Sequence, residues 1–304
     1  MEYYYLNGEF VPAQEAKIPV RTHGFLYGTT VFEGIRAYYS KEEDQMYMFR
    51  AKEHFERLHN SAKIMFMKPP KSVEEYCQIT KELLKKNNYR EDTYIRPTLF
   101  KSAQKVGPDL LNNPDSDLIF TTVLGDYVDM SRGLNVCVSS WDRLEDNTIP
   151  PRAKISGAYA NTALIVTEAH MMGFDDAIVL SNNGHVAEGS AMNFFMIEGN
   201  TLITSTKTSN ILIGVTRNTI MELARNELGM EIEERDIDRT ELYVCDEAFY
   251  CGTGAQVAGI AKIDNRDVGK GDVGDKTKAI QQLYFDVVKG KVDKYKKWCT
   301  PIYD

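Results

Sequence analysis

Lys154 stands in the run PPRAKISGAY, residues 150 to 159, behind Pro150 and Pro151 and ahead of Gly157 and Tyr159. The two prolines hold the approach extended and keep the next helix from starting early, so the amine projects from a fixed loop. A lysine so placed suits attack on a carbonyl, which needs a positioned, partly desolvated, neutral amine. In GVTRNTI, 214 to 220, a glycine leads into a helix whose first N–H groups lack internal partners. Such a start holds phosphate through those groups, the helix dipole and the Thr216 hydroxyl, or Thr216 simply caps the helix. In CGTGAQ, 251 to 256, Thr253 and the N–H groups of a Gly-rich turn face an anion or form an ordinary tight turn. In GHVAEGSAMNF, Glu188 ends an otherwise apolar strand, where a carboxylate is either exposed or paired with a buried cation. A Schiff-base lysine, a phosphate cradle and a lone carboxylate together match pyridoxal phosphate, whose ring nitrogen needs an acidic partner.

The elements that must position these residues are read from local pattern. YYYLNGEFVP is two apolar runs about Asn7-Gly8, a hairpin signal. Residues 53 to 67 place Phe55, Leu58, Ala62 and Met65 at spacings of three and four, which predicts one buried helical face, and a second helix is expected over 73 to 87. Strands over 93 to 100 and 117 to 125 flank KSAQKVGPDLLNNPDS. This connector exceeds about 12 residues and is either an active-site lid or a tolerated surface insertion. A strand over 134 to 140 precedes a helix from 157 to 172 that ends at Gly173. Hairpins then turn at Asn183-Gly184 and Gly199-Asn200, and GVTRNTIMELARNELG forms a helix of about 14 residues with Gly229 at its C-terminal cap. Short strands EAFYCGT and GIAKID and a helix over 275 to 289 complete the pattern. The fold class expected is α+β with mostly antiparallel strands, divided into a domain over 1–125, a linker over 126–133 and a domain over 134–304.

The formal net charge of −8 and the scatter of Lys and Arg argue against a nucleic-acid or anionic-membrane surface, which requires a basic face. No run of 18 apolar residues occurs, and MEYYYLNGEF has neither a basic nor an apolar leader region, so a cytoplasmic protein is expected. Five cysteines, with no CxxC spacing and no matching His pair, predict reduced, mostly buried thiols and no metal site.

The ordered set LNGEFVP, HGFLYGTTVFEGIRAY, ERLHNSAKI, YIRP, SSWDR, NTIPPRAKISGAYAN, EGSAMNFF, GVTR and CGTGAQ runs nearly end to end. It resembles the fold-type IV pyridoxal-phosphate enzymes, and more closely the branched-chain-amino-acid aminotransferases. The resemblance implies a small α/β N-terminal domain and a larger C-terminal domain with a mostly antiparallel, barrel-like β core. It implies that Lys154 carries the cofactor as a Schiff base and later shuttles the proton, that Glu188 keeps the ring nitrogen protonated, and that Tyr159 hydrogen-bonds the phenolic oxygen. Arg57, Val215, Thr216 and Thr253 would hold the phosphate.

On the substrate side the resemblance implies an apolar pocket with Tyr27 and Phe32, carboxylate recognition by Tyr94 and Arg96, and N–H groups at Thr253-Gly254 for the α-carboxylate. Tyr127 is a further pocket residue, and Arg36 either joins the site or forms a structural ion pair. Gly254 stands where many family members carry alanine, and the proline often found after this turn is missing, a region that relatives acting on D-amino acids or (R)-amines reshape. The activity implied is ping-pong transfer of the amino group of leucine, isoleucine or valine to 2-oxoglutarate. The alternatives are a D-amino-acid or (R)-amine transaminase, an aminodeoxychorismate lyase, and a non-catalytic cofactor-binding protein. Amino acids and 2-oxo acids would be the small-molecule partners, and the chain would form a homodimer or higher homo-oligomer.

Overall fold

Asn7 and Gly8 take φ of 49° and 96°, the paired positive values of a type I′ turn. Strands β1 (Tyr3–Leu6) and β2 (Glu9–Pro12) accordingly pair as a hairpin with Leu6 opposite Glu9. The computed structural model describes residues 1–125 and 132–303, so the expected pocket residue Tyr127 and most of the expected linker lie outside the described residues. The chain divides into two compact units, one of Met1–Gly125, Ala153–Gly157 and Asp286–Asp304, the other of Asp126–Arg152 and Ala158–Phe285. Each unit draws on segments distant in the chain.

The first unit sets helices α1 (His23–Tyr27), α2 (Ala51–Ile64) and α3 (Val73–Asn87) beside strands β3 (Thr30–Phe32), β4 (Ile35–Ser40), β5 (Gln45–Phe49), β6 (Thr93–Lys101) and β7 (Asp115–Val123). The sheet runs β5-β4-β6-β7-β1-β2, with β3 also on β6, and every one of these pairings is antiparallel. Helix α2 buries Phe55, Leu58 and Ala62, as the spacing requires, whereas Met65 caps its end and is half-exposed. Helix α3 starts at a capping box between Ser72 and Glu75 and stacks Tyr76 on Phe55 with ring centroids 5.4 Å apart. Each such fully buried side chain stabilises by about 1.5–3 kcal/mol.

The connector after β6 is fastened at its base and its middle. Buried Lys101 donates to the carbonyls of Phe66 and Asn113 at 2.8 and 3.2 Å and pairs with Asp115 at 3.0 Å. At the midpoint, Gly107 donates its N–H to Tyr27 Oη at 2.8 Å while its carbonyl accepts from His23 Nε2 at 3.0 Å.

The second unit holds β8 (Leu134–Val138), β9 (Asp176–Leu180), β10 (Val186–Gly189), β11 (Asn193–Glu198), β12 (Thr201–Thr204), β13 (Glu231–Glu234), β14 (Glu247–Gly252), β15 (Gln256–Ile263) and β16 (Arg266–Asp267). Its sheet is a curled half-barrel in the order β10-β9-β8-β15-β14-β11-β12-β13, with β16 on β15. The pairs β8/β9, β8/β15 and β12/β13 are parallel and the others antiparallel. Inward residues Val136, Ile178, Phe194, Met196, Tyr250 and Ala258 form its core. Phe195 stacks on its register partner Phe249 at 5.1 Å. Helices α4 (Tyr159–Met171) and α5 (Val215–Glu227) carry candidate site residues at their first turns. Helix α6 (Asp275–Val288) leads toward β17 (Cys299–Pro301), which pairs with β5 and completes the first sheet. Of the five free cysteines, Cys137, Cys245, Cys251 and Cys299 are buried and Cys77 is half-buried.

Candidate active site

Lys154 groups with the first unit, where its main chain is held on two sides. Its N–H donates to Ser61 Oγ on α2 at 3.1 Å, and its carbonyl accepts from the Phe32 N–H on β3 at 3.0 Å. Ile155 forms a bridge with Val31. Gly157 lies against Gly28, where a Cβ on Gly28 would come 2.8 Å from the Gly157 Cα. The side chain, half-buried, places Nζ 4.9 Å from the Phe32 ring centroid.

Tyr94 and Arg96 are two apart on β6 and so share a face. Arg96 Nε donates to Tyr94 Oη at 2.8 Å, and its guanidinium lies 4.3 Å from the Phe32 ring centroid. Phe32 pairs in register with Thr98, which brings it diagonally beside Arg96. Gly34 is required here, because a Cβ would come 2.7 Å from Tyr94 Oη. Phe32, Tyr94, Arg96 and Lys154 therefore form one cluster of apolar rings and cations. Arg36, the register partner of Tyr94, is 2% exposed and turns its Nη2 to the Leu124 and Gly125 carbonyls, so it holds backbone. Tyr27 turns its hydroxyl to Gly107 and its ring to His23.

One residue after Phe32, Glu33 is fully buried. Arg57 on α2 meets it edge-on, Nε to Oε1 and Nη2 to Oε2, both at 2.7 Å, and His54 Nδ1 reaches Oε2 at 2.7 Å. Burial pushes the Glu33 carboxyl up, but the Arg57 charge and the hydrogen bonds from Arg57 and His54 outweigh it and hold it at about 2. Burial, only partly offset by Glu33, pushes His54 below the ordinary histidine value. Its Nδ1–H donates to the Glu33 carboxylate.

In the second unit Glu188 is the penultimate residue of β10 and is 2% exposed. It pairs with Arg143 at 2.7 Å and accepts from Asn193 Nδ2 at 3.0 Å and from the Leu212 N–H at 3.3 Å. Arg143 Nε and Nη1 are buried with no hydrogen-bond partner among the described residues. Two residues past Leu212, Gly214 caps α5 without a side-chain hydrogen bond, and Val215 and Thr216 lie buried in its first turn. A Cβ at Gly214 would come 2.2 Å from Asn193 Oδ1. Asn193 is also the register partner of Cys251, so the turn carrying Thr253 and Gly254 leaves the same end of the sheet. Tyr159 opens α4, half-buried.

Sequence reasoning thus singles out Lys154, Phe32, Tyr94, Arg96 and Arg57 in one unit and Glu188, Val215, Thr216 and Thr253 in the other. It passes over Glu33, His54, Arg143 and Asn193. Glu33 carries the same kind of signal as Glu188, a lone carboxylate beside an apolar run.

Residues 30–263 match the family described as amino-transferase class IV. The chain is 47% identical over 304 residues to a probable branched-chain-amino-acid aminotransferase of Aquifex aeolicus (strain VF5), covering 100% of this chain and 98% of that protein. It is 36% identical over 305 residues to the branched-chain-amino-acid aminotransferase of Escherichia coli (strain K12), covering 99% and 97%. The solved structure of the branched-chain amino acid aminotransferase from Thermobaculum terrenum in PLP form matches with a TM-score of 0.96 at 37% identity, over 100% of this chain and 99% of that one. The branched-chain aminotransferase from Thermoproteus uzoniensis, solved with norvaline, matches with a TM-score of 0.95 at 37% identity, over 99% of each chain.

Proposed function

The chain belongs to the class IV aminotransferase family, and from that premise we propose that it moves the amino group of leucine, isoleucine or valine to 2-oxoglutarate in two half-reactions, with pyridoxal 5'-phosphate as cofactor. The observation that carries this reading is the end-to-end match to relatives that bear the branched-chain name. The D-amino-acid, (R)-amine and lyase alternatives are not favoured, since the relatives named above carry the branched-chain name.

The residues present fit the cofactor. Glu188 is a buried carboxylate beside a guanidinium with two nitrogens unpartnered among the described residues, α5 begins at Gly214 without a side-chain cap, and Lys154 supplies the amine. When bound, pyridoxal phosphate supplies an electron sink for the carbanion left at the substrate Cα. Lys154 anchors it and takes the Cα proton, its position fixed by Ser61 and Phe32. Glu188 keeps the ring nitrogen protonated and Tyr159 hydrogen-bonds the phenolic oxygen. Arg57, Thr253 and the α5 start at Val215 and Thr216 hold the phosphate.

Phe32, Tyr27 and Tyr127 pack the aliphatic side chain. Tyr94 and Arg96 bind carboxylate, with Arg36 fixing the strand beside them, and the N–H groups at Thr253-Gly254 take the α-carboxylate. A cation over an aromatic ring, as Arg96 lies over Phe32, accommodates both an apolar donor and a dicarboxylate acceptor. We assign the small domain to 1–125 and the large one to 134–304, and place the protein in the cytoplasm. A homodimer or higher homo-oligomer is supported by large apolar side chains exposed on the single chain, among them Phe25, Val106 and Met171. No helix among the described residues is long and apolar enough to cross a membrane.

The test is to mix the purified enzyme separately with L-leucine, D-alanine and (R)-1-phenylethylamine and follow the cofactor absorbance. L-Leucine should bleach the band and 2-oxoglutarate should restore it. Bleaching by D-alanine or the amine and not by L-leucine overturns the assignment.

A further inference from the structure

We propose that Glu33 is a positioning residue, which fixes the plane of the Arg57 guanidinium through two hydrogen bonds, is itself braced by His54, and thereby sets the protein's affinity for a phosphate monoester. The inference rests on the reading that Arg57 binds the cofactor's phosphate.

Arginine is long and flexible, and holding its head in one plane sacrifices rotamer freedom unless a rigid partner arranges it beforehand. Glu33 is such a partner. Its N–H donates to the Pro97 carbonyl at 2.9 Å, which ties its main chain to β6, and its carboxylate is fully buried. The two oxygens engage Nε and Nη2, adjacent on one edge of the guanidinium, so neither rotation about the last bond nor tilt of the plane is left open. His54 donates to the same carboxylate from the preceding turn of α2, three residues before Arg57.

The charges of this trio add a second consequence. The Glu33 carboxylate, held well below the ordinary range against burial by Arg57 and His54, offsets the charge of the Arg57 guanidinium. Arg57 therefore serves a phosphate chiefly through directed N–H donors, and their direction is what Glu33 controls. Glutamine at position 33 would face the guanidinium with an amide N–H in place of one acceptor, which opposes donor to donor and releases the fork.

The test measures equilibrium binding of pyridoxal 5'-phosphate and of pyridoxal, which lacks the phosphate, to the full-length apoprotein. Loss of a residue that orients a metal-binding side chain typically weakens affinity about 10–100-fold, and an effect of the same order is expected for a residue that orients Arg57. Glu33→Gln should weaken pyridoxal phosphate by that factor and leave pyridoxal within about twofold. Arg57→Ala should collapse the preference for the phosphorylated form, and Arg57→Lys, which keeps the charge and lacks the fork, should do nearly the same.

If Arg57→Ala leaves the preference intact, the phosphate role of Arg57 itself is wrong. If Arg57→Ala abolishes it and Glu33→Gln weakens both ligands equally or neither, the positioning role of Glu33 alone is overturned. Should Glu33→Gln not fold, His54→Phe removes the brace instead. A selective fall in phosphate-ester affinity then supports the inference, and an unchanged preference refutes it.

Discussion

The Lys154 carbonyl accepts the Phe32 N–H at 3.0 Å, while the Lys154 Nζ stands 4.9 Å from the Phe32 ring centroid. The residue assigned the proton transfer and the residue assigned to the pocket are thus joined through both main chain and side chain. Strand β3 carries the pocket ring and at the same time fixes the loop that presents the amine. This coupling survives removal of the amine, because the main-chain bonds to Ser61 and Phe32 do not use the lysine side chain.

Lys154→Ala should therefore separate chemistry from stability. Removing a proton-transfer group costs about 10²–10⁴-fold in rate, and loss of the covalent anchor adds to that. The L-leucine half-reaction, followed in a single turnover, should fall by at least this factor. The apoprotein should melt within a few degrees of the parent apoprotein. Normal transamination by the variant would refute the assignment of Lys154.

Acid should weaken the fold through Glu33 and His54 in turn. Against burial, Arg57 and His54 hold the Glu33 carboxyl at about 2, below its ordinary 4.5. Between those values the unfolded chain binds more protons than the folded one, so the contribution is complete above 4.5 and lost as pH falls through the window. The difference corresponds to about 3 kcal/mol. His54, lowered chiefly by burial from its ordinary 6.5, acts with the same sign, present above that value and lost on acidification. Urea titrations of the apoprotein should show stability falling from pH 6.5 to pH 3, and Glu33→Gln should be less stable at pH 7 and fall less steeply. Parallel curves for the two proteins would contradict this origin of acid sensitivity.

The features legible from the chain are those with local causes. Asn7-Gly8 specifies its own turn, and the stripe of Phe55, Leu58 and Ala62 specifies α2 to within three residues of its observed ends. Strand β4 is buried on both faces, so IRAYYS shows no alternation to read. Strand β17 exists only through its pairing with β5, about 250 residues earlier in the chain. Within the site, Lys154 and Glu188 were conspicuous because their types clash with their surroundings. Arg143 lies in an ordinary polar context and Asn193 between Met192 and Phe194, and only tertiary packing sets both against Glu188. Nor does chain order reveal that residues 153–157 group with the first unit.

The pair of Glu188 and Arg143 should behave as a buried ion pair whose halves are each worse than none. Their side chains are 3% and 10% exposed. Glu188→Ala leaves the guanidinium without its carboxylate, and breaking such a pair costs about 3–5 kcal/mol. Glu188→Met with Arg143→Met should recover much of that, because two well-packed apolar side chains need no partner. Denaturant melts of the single and double variants of the apoprotein measure the coupling. Additive losses would show that the two charges do not depend on each other.

Gly214→Ala tests whether one hydrogen atom at the start of α5 keeps Glu188 supplied with donors. Gly214 has φ of −69°, which any residue adopts, so the substitution strains no backbone and by itself would stabilise by about 0.4–1 kcal/mol. The added Cβ, however, would sit 2.2 Å from Asn193 Oδ1. Asn193 is 6% exposed and its Nδ2 donates both to Glu188 and to the Leu212 carbonyl, at 3.0 and 2.9 Å. Moving it strips a donor from a buried carboxylate, a loss of about 1–3 kcal/mol. The net expectation is destabilisation by about 1–2 kcal/mol in urea melts of the apoprotein. Gly252→Ala is the control, since its Cβ would meet nothing nearer than 3.8 Å, and it should be neutral. In an Asn193→Ala background the collision has no target, so adding Gly214→Ala should cost nothing further or stabilise slightly. An equal loss in both backgrounds would place the effect in α5 itself and remove Asn193 from the account.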